Sequence, residues 1–186
     1  MTEITRTERD FQRALLHLLA DHTFLSLSVE QICQETMMHR SSFYRYFDDK
    51  YDLLKHTVNT KITNLIDESD LSEDELENVV DYLCSHKDIM RNLGTSHSNS
   101  SLYPTMVTIL ADIMLTRYEN GVNDRLIKTI GTFDNPETTA YMLSASIVGA
   151  FYWWRNQNYE TSKKTIIRQA NKFIEWLTTK SNLNGD

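Results

Sequence analysis

Turn-forming residues are scarce in this chain, with five glycines and two prolines in 186 residues. A sheet protein needs such residues at every strand reversal, so their scarcity points to an all-α fold. Only two cysteines are present, Cys33 and Cys84, with no C-x-x-C pair. That excludes a disulfide scaffold and a zinc finger, and suits a reducing compartment. The longest uncharged apolar run, Tyr141 to Trp154, spans 14 residues, too few to cross a bilayer. The N-terminus lacks the apolar core of a signal peptide, so a cytoplasmic protein with no membrane partner is expected. Missing too are a glycine-rich phosphate loop, an H-E-x-x-H pair and any Ser or Cys set in a nucleophile motif. The six histidines, at 17, 22, 39, 56, 86 and 97, have no metal-ligand spacing. No catalytic residue, cofactor or metal is expected.

The length bounds the chain at about one domain, or one with a small appended module. The net charge of −7 is unevenly placed. Residues 1–60 hold seven Lys/Arg and nine Asp/Glu, and residues 82–186 hold eleven and nine. Residues 61–81 hold Lys61 against eight acids, so one short stretch supplies the imbalance and reads as a solvated helix face and loop. Total charge is therefore no argument against nucleic acid, and the N-terminal third has no basic excess to argue for it.

Apolar periodicity and capping chemistry divide the chain into eight or nine helices. Phe11, Ala14, Leu15 and Leu18 share one face of a helix over 7–21. Ser28 and Gln31 form a capping box for a short helix carrying Val29, Ile32 and Cys33. A third helix follows from His39 to Phe47. Asp49 and Asp52 cap a fourth, whose stripe of Leu54, Val58, Ile62 and Leu65 runs to about Asp67. Ser72 and Glu75 open a helix to Ser85, and a short one covers 87–93. Residues 94–101 read as a loop. Pro104 starts a helix to Tyr118 that Gly121 stops. Asn135-Pro136 starts one to Asn156, and a last runs over 162–179. The boundaries expected are a helix-turn-helix domain over 1–49, a connecting helix over 50–70, and a helical domain over 71–186.

Helices two and three, a short pair joined by a three-residue turn, make a helix-turn-helix pattern. The second would lie in a DNA major groove, its N-terminal residues at base edges. Arg40 and Arg45 can each donate two hydrogen bonds to guanine. Ser41 and Ser42 are small enough for close approach. Tyr44 and Tyr46 offer hydroxyls to phosphates, and Lys50 a point charge. The amide end of helix two brings Ser28 to the backbone as well. Phe43 and Phe47, four apart, read as core.

From Phe24 to Leu54 the run FLSLSVEQICQETMMHRSSFYRYFDDKYDLL resembles the DNA-binding domain of the TetR/AcrR family of bacterial transcription regulators. Ser28-Val29, Ile32-Cys33, Ser42-Phe43-Tyr44, Tyr46-Phe47, Lys50 and Leu53-Leu54 carry the resemblance, which covers the first third of the chain. The stretch from Ile147 through Trp153-Trp154 to the Ser162 helix is more loosely similar to a subtype whose members include an activator of dihydroxyacetone kinase operons. The resemblance implies a homodimer bound to a double-stranded DNA operator. Ser28, Ser42, Tyr44, Tyr46 and Lys50 would mostly hold phosphates, and His39, Arg40, Ser41 and Arg45 would set sequence preference. Three positions depart from the family. Met37 stands where a turn glycine is usual, which means a distorted turn or a strained residue. His39 stands where a serine cap is usual, and Asp48 where a base is common.

In the second half, Tyr141 to Trp154 is apolar all round and must be covered all round. The expected dimer interface therefore comprises Tyr141, Ala145, Val148, Gly149 and Tyr152, with Phe173, Ile174 and Leu177 of the last helix. The family resemblance implies an effector pocket in this half, for which Met90, Met106, Met114, Tyr118, Trp153 and Trp154 are the apolar candidates. The effector is a small molecule or a protein co-regulator. The rival reading is a helical interaction module or co-activator whose degenerate helix-turn-helix no longer binds DNA and whose C-terminal domain docks a partner protein.

Overall fold

The computed structural model describes residues 4–67, 75–93, 102–122 and 125–181. Among these the structure is all-α, with ten helices, a single 3-10 turn and no strand. They form two compact units, residues 4–67 with 82–93, and residues 75–81 with 102–181.

The first unit opens with α1 (Arg6–Asp21). Thr5 accepts the Glu8 amide while the Glu8 carboxylate accepts the Thr5 amide, a capping box that starts the helix one residue earlier than periodicity suggests. A 3-10 turn (Phe24–Ser26) leads to α2 (Val29–Thr36), α3 (Arg40–Phe43) and α4 (Lys50–Asp67). The core is aromatic. Phe11 meets Phe43 and Phe47 edge-on, with ring centroids 5.3 and 6.1 Å apart, and all three are buried. Edge-to-face rings add about 0.5–1.5 kcal/mol beyond their buried area. They fix the underside of α3 against α1. The short α6 (Lys87–Leu93) returns to this unit, where the Asn92 amide donates to the carbonyls of Leu19 and Ala20 at 2.9 and 3.1 Å. Those carbonyls end α1 and have no acceptor role within it.

Helix α5 (Glu75–Ser85) contributes its first part to the second unit. There α7 (Tyr103–Glu119) packs along α9 (Pro136–Asn156), and α8 (Arg125–Ile130) and α10 (Lys163–Ser181) complete the unit. Asn135 caps α9 by accepting the Thr138 amide at 2.8 Å. The core cluster is Ala111, Met114, Ile127, Ile130, Ala140 and Leu143, with Leu177 of α10 packed on it. Helix α8 is the element the sequence expectation lacks. Six residues are too few to display a period, yet Ile127 and Ile130 are central to the core. Asn158 and Tyr159, both with positive φ, turn the chain out of α9. Trp154 steadies that elbow, donating from Nε1 to the Thr161 carbonyl at 2.7 Å and meeting the Tyr159 ring edge-on. Of the acidic stretch, Glu77 and Asp81 are not merely solvated, since both pair with Lys163. Ser72 and the loop over 94–101 lie outside the described residues. None of the described helices is long and apolar enough to cross a membrane.

Candidate nucleic-acid interface

Helix α2 starts where its local chemistry says it should. The Ser28 hydroxyl accepts the Gln31 amide at 3.2 Å, and the Gln31 side chain accepts the Ser28 amide at 2.8 Å. It ends in a complete Schellman motif around Met37. The Met37 amide donates to Gln34 and the Met38 amide to Cys33, each at 3.0 Å. Met37 has φ 54° and ψ 31°, so the turn is undistorted and the strain falls on this one residue. Its side chain is 94% exposed, so no packing offsets that strain. Burial pushes the Cys33 thiol up, with the Arg40 charge opposing, as suits a core residue rather than a nucleophile.

His39 precedes α3 in extended backbone and makes no side-chain cap. The helix is shorter than the expected span to Phe47, because the chain tightens after Phe43. The amides of Tyr46 and Phe47 both donate to the Phe43 carbonyl at 3.0 Å, which closes the last turn and drops Phe47 into the core. That tightening separates two faces. Phe43 and Phe47 point inward, while His39, Arg40, Ser41, Tyr44 and Arg45 are exposed, with Ser42 and Tyr46 half-buried. Ser28 is exposed as well. Arg40 Nη2 donates to Tyr44 Oη at 3.3 Å and its guanidinium lies 5.9 Å from that ring, so the pair shares one side of α3.

Lys50 is engaged within the chain, a role its sequence position does not suggest. Its Nζ donates to the carbonyls of Phe24, Leu25 and Leu27 at 3.1, 3.1 and 2.7 Å. An ammonium has three protons, and all three are engaged with the chain's own backbone. Nearby, Asp49 accepts the amides of Tyr51 and Asp52 at 2.7 and 2.8 Å, and Asp52 accepts the Asp48 amide at 3.1 Å, so α4 is capped as its sequence suggests. An open cleft of about 420 Å³ lies along α1 and α2, lined by Asp10, Arg13, Ala14, His17, Glu35 and Thr36. It includes none of the candidate DNA-contacting residues.

The residues expected at a dimer interface divide. Ala145, Gly149 and Tyr152 face α7 of their own chain. Tyr103 Oη donates to the Ala145 carbonyl at 3.1 Å, a Cβ at Gly149 would stand 3.4 Å from that hydroxyl, and the Tyr103 and Tyr152 rings meet edge-on at 5.3 Å. Val148 is buried and Leu177 packs on the core, while Ile174 is half-buried. Tyr141 and Phe173 are exposed. The outward stripe of α9 consists instead of Met142, Ser146, Ala150 and Trp153, all exposed and spaced i, i+4, i+8 and i+11. A helix uncharged from Tyr141 to Trp154 offers no charged face to orient it, so the sequence alone does not show which side meets α7.

The six pocket candidates fall in both units. Met90 is buried in the first unit, while Met114 belongs to the core cluster of the second. Met106 is half-buried on α7. Tyr118 covers Gly131, where an added Cβ would come within 2.9 Å of its ring. Trp153 is exposed, and Trp154 is buried at the elbow.

Residues 13–57 match the family of bacterial regulatory proteins known as tetR. No curated protein matches the chain in sequence. Among solved structures, the dihydroxyacetone kinase operon activator DhaS is 16% identical over 96% of this chain and 97% of its own, with a TM-score of 0.53. The fatty acid degradation regulator FadR from Bacillus halodurans is 15% identical over 93% and 96%, with a TM-score of 0.50. A protein described as a TetR-family transcriptional regulator from Syntrophomonas wolfei str. Goettingen is 15% identical over 94% of each chain, with a TM-score of 0.51. At such identities the likeness is one of fold.

Proposed function

Because residues 13–57 belong to the tetR family of bacterial regulatory proteins, we propose that this DNA-binding transcription regulator acts in the cytoplasm as a homodimer on a palindromic operator. The observation that carries the reading is the two-faced α3. Phe43 anchors it from below, and His39 just before it, Arg40 and Ser41 along it and Arg45 just beyond its end stand exposed, where base edges are read. Ser28, Ser42, Tyr44 and Tyr46 serve as phosphate contacts that set register on the duplex. Lys50 leaves that group, since its protons are already engaged.

The exposed stripe of α9, with Tyr141 and Phe173, supports the dimer. A largely apolar strip on a helix is a surface that association covers, and a second copy supplies the second recognition helix that a palindrome requires. The second unit is where an effector acts on DNA affinity, whether a small molecule or a protein co-regulator.

The experiment is selection of duplex DNA from a random pool by the purified protein. Enrichment of two inverted half-sites about one or more helical turns apart is expected. A folded dimer that enriches nothing would move the reading to a protein-docking module.

A further inference from the structure

Resting on the DNA-binding reading above, we propose that Lys50 is a positioning residue: its ammonium fastens the first turn of α4 to the 3-10 turn before α2, framing the recognition helix, and it makes no phosphate contact. The acceptors explain why a cation belongs there. The 3-10 turn Phe24–Ser26 gives the Phe24 carbonyl one bond, from the Leu27 amide at 3.3 Å, and leaves its second lone pair to another donor. The carbonyls of Phe24, Leu25 and Leu27 converge on Nζ. The walls are aromatic, with Nζ 5.0 Å from the Phe24 ring and 5.7 Å from that of Tyr51, and the two rings set edge-on at 5.1 Å. This partly dry setting lowers the ammonium pKa below its ordinary value, with Asp49 opposing the shift.

The place of the clamp in the chain gives it leverage. Leu27 immediately precedes Ser28, the cap of α2, and Lys50 is the first residue of α4. Helix α3 lies between α2 and α4 in sequence, so joining those two starts closes a frame around it. A phosphate that took one proton from Nζ would leave a carbonyl without its partner. A point charge on a flexible stem meets three convergent acceptors, whereas the planar fork of arginine does not. Arginine is, by contrast, at least the equal of lysine on phosphate.

The test uses the full-length protein and its Lys50→Arg and Lys50→Met variants, with a selected-site duplex and a mixed-sequence duplex as probes. Both variants are expected to lower the thermal midpoint by about 3–8 °C and to weaken binding about tenfold or more. The slope of log affinity against log salt should stay at the wild-type value. In the wild type, the Lys50 ammonium should give a nitrogen-15 signal that exchanges slowly with water. Two results overturn the proposal: Lys50→Met flattening the slope by about 0.9, the share of one phosphate, with the midpoint unmoved, or Lys50→Arg retaining both affinity and midpoint. If the wild type binds neither duplex, the DNA reading fails on its own. The clamp is then judged by the ammonium signal and the midpoints, and a fast-exchanging ammonium with unmoved midpoints overturns it.

Discussion

The two units solve the same problem, burying helices, with opposite distributions of polar chemistry. In the first, polar side chains are assigned to particular backbone groups. Thr5, Ser28 and Asp49 cap helices, Asn92 and Lys50 satisfy carbonyls, and the aromatic core lies behind an exposed polar face. In the second, α9 carries no charge from Tyr141 to Trp154, and part of that surface, at Met142, Ala150 and Trp153, remains outward. A polar face with an anchored back suits a ligand that is itself polar and charged. An apolar stripe suits another protein surface. The contrast teaches that direction on a helix is legible only where polarity changes around it.

The strongest way to sharpen the contrast is to remove an anchor from each unit. Phe43→Ala should cost about 3–5 kcal/mol in chemical denaturation and abolish DNA binding, since α3 loses its support. Ile130→Ala, equally buried in the second unit, should cost about 2–5 kcal/mol and leave the recognition face intact. Equal loss of DNA binding from both, measured well below their unfolding midpoints, would break the comparison.

Next in size is the outward stripe. Trp153→Glu or Met142→Glu should weaken self-association by about 2 kcal/mol or more in sedimentation, with the helical circular dichroism unchanged. Ala145→Ser should do far less to association, because that position faces Tyr103 of its own chain. A dimer indifferent to both glutamates places the interface elsewhere.

On the recognition face, Arg45→Ala and Arg40→Ala should each relax preference at one base pair, by about 1–3 kcal/mol. Tyr44→Phe should weaken all duplexes alike, although its bond to Arg40 makes a small loss of preference the informative deviation. Competition binding with single-base operator variants reads both. The smallest effect is at the turn: Met37→Gly should stabilise the protein by about 1 kcal/mol, since glycine meets φ 54° without strain. A destabilised Met37→Gly would mean that the exposed methionine makes a contact the turn needs.

Much of the fold was legible because its signals are local. Ser28 with Gln31, Asp49 with Asp52, and Asn135 with Pro136 announce helix starts through hydrogen bonds that span three or four residues. The core positions Phe11, Ile32, Phe43 and Leu54 follow from helical spacing alone. What was not legible depends on partners far away in sequence. Lysine near a recognition helix suggests phosphate, and nothing within a few residues of Lys50 reveals carbonyls at 24, 25 and 27. Ala145 and Gly149 look like a close-approach pair for another subunit, and only the position of Tyr103 shows that the approach is internal. The six-residue α8 lacked the length to show a period, and α3 ended early because Phe43 accepts two amides at once.

The two adjacent tryptophans of α9 have an optical consequence. Trp154 is sealed at the elbow with its indole nitrogen bonded, while Trp153 stands half in water, as does Trp176 of α10. These are the three tryptophans of the chain. A soluble quencher should therefore reach two emitters and spare the third. Covering the α9 stripe should shift Trp153 emission to shorter wavelength and shield it from quencher, while Trp154 stays unchanged as an internal reference. Assembly can thus be followed by intrinsic fluorescence, without a label and at concentrations too low for sedimentation.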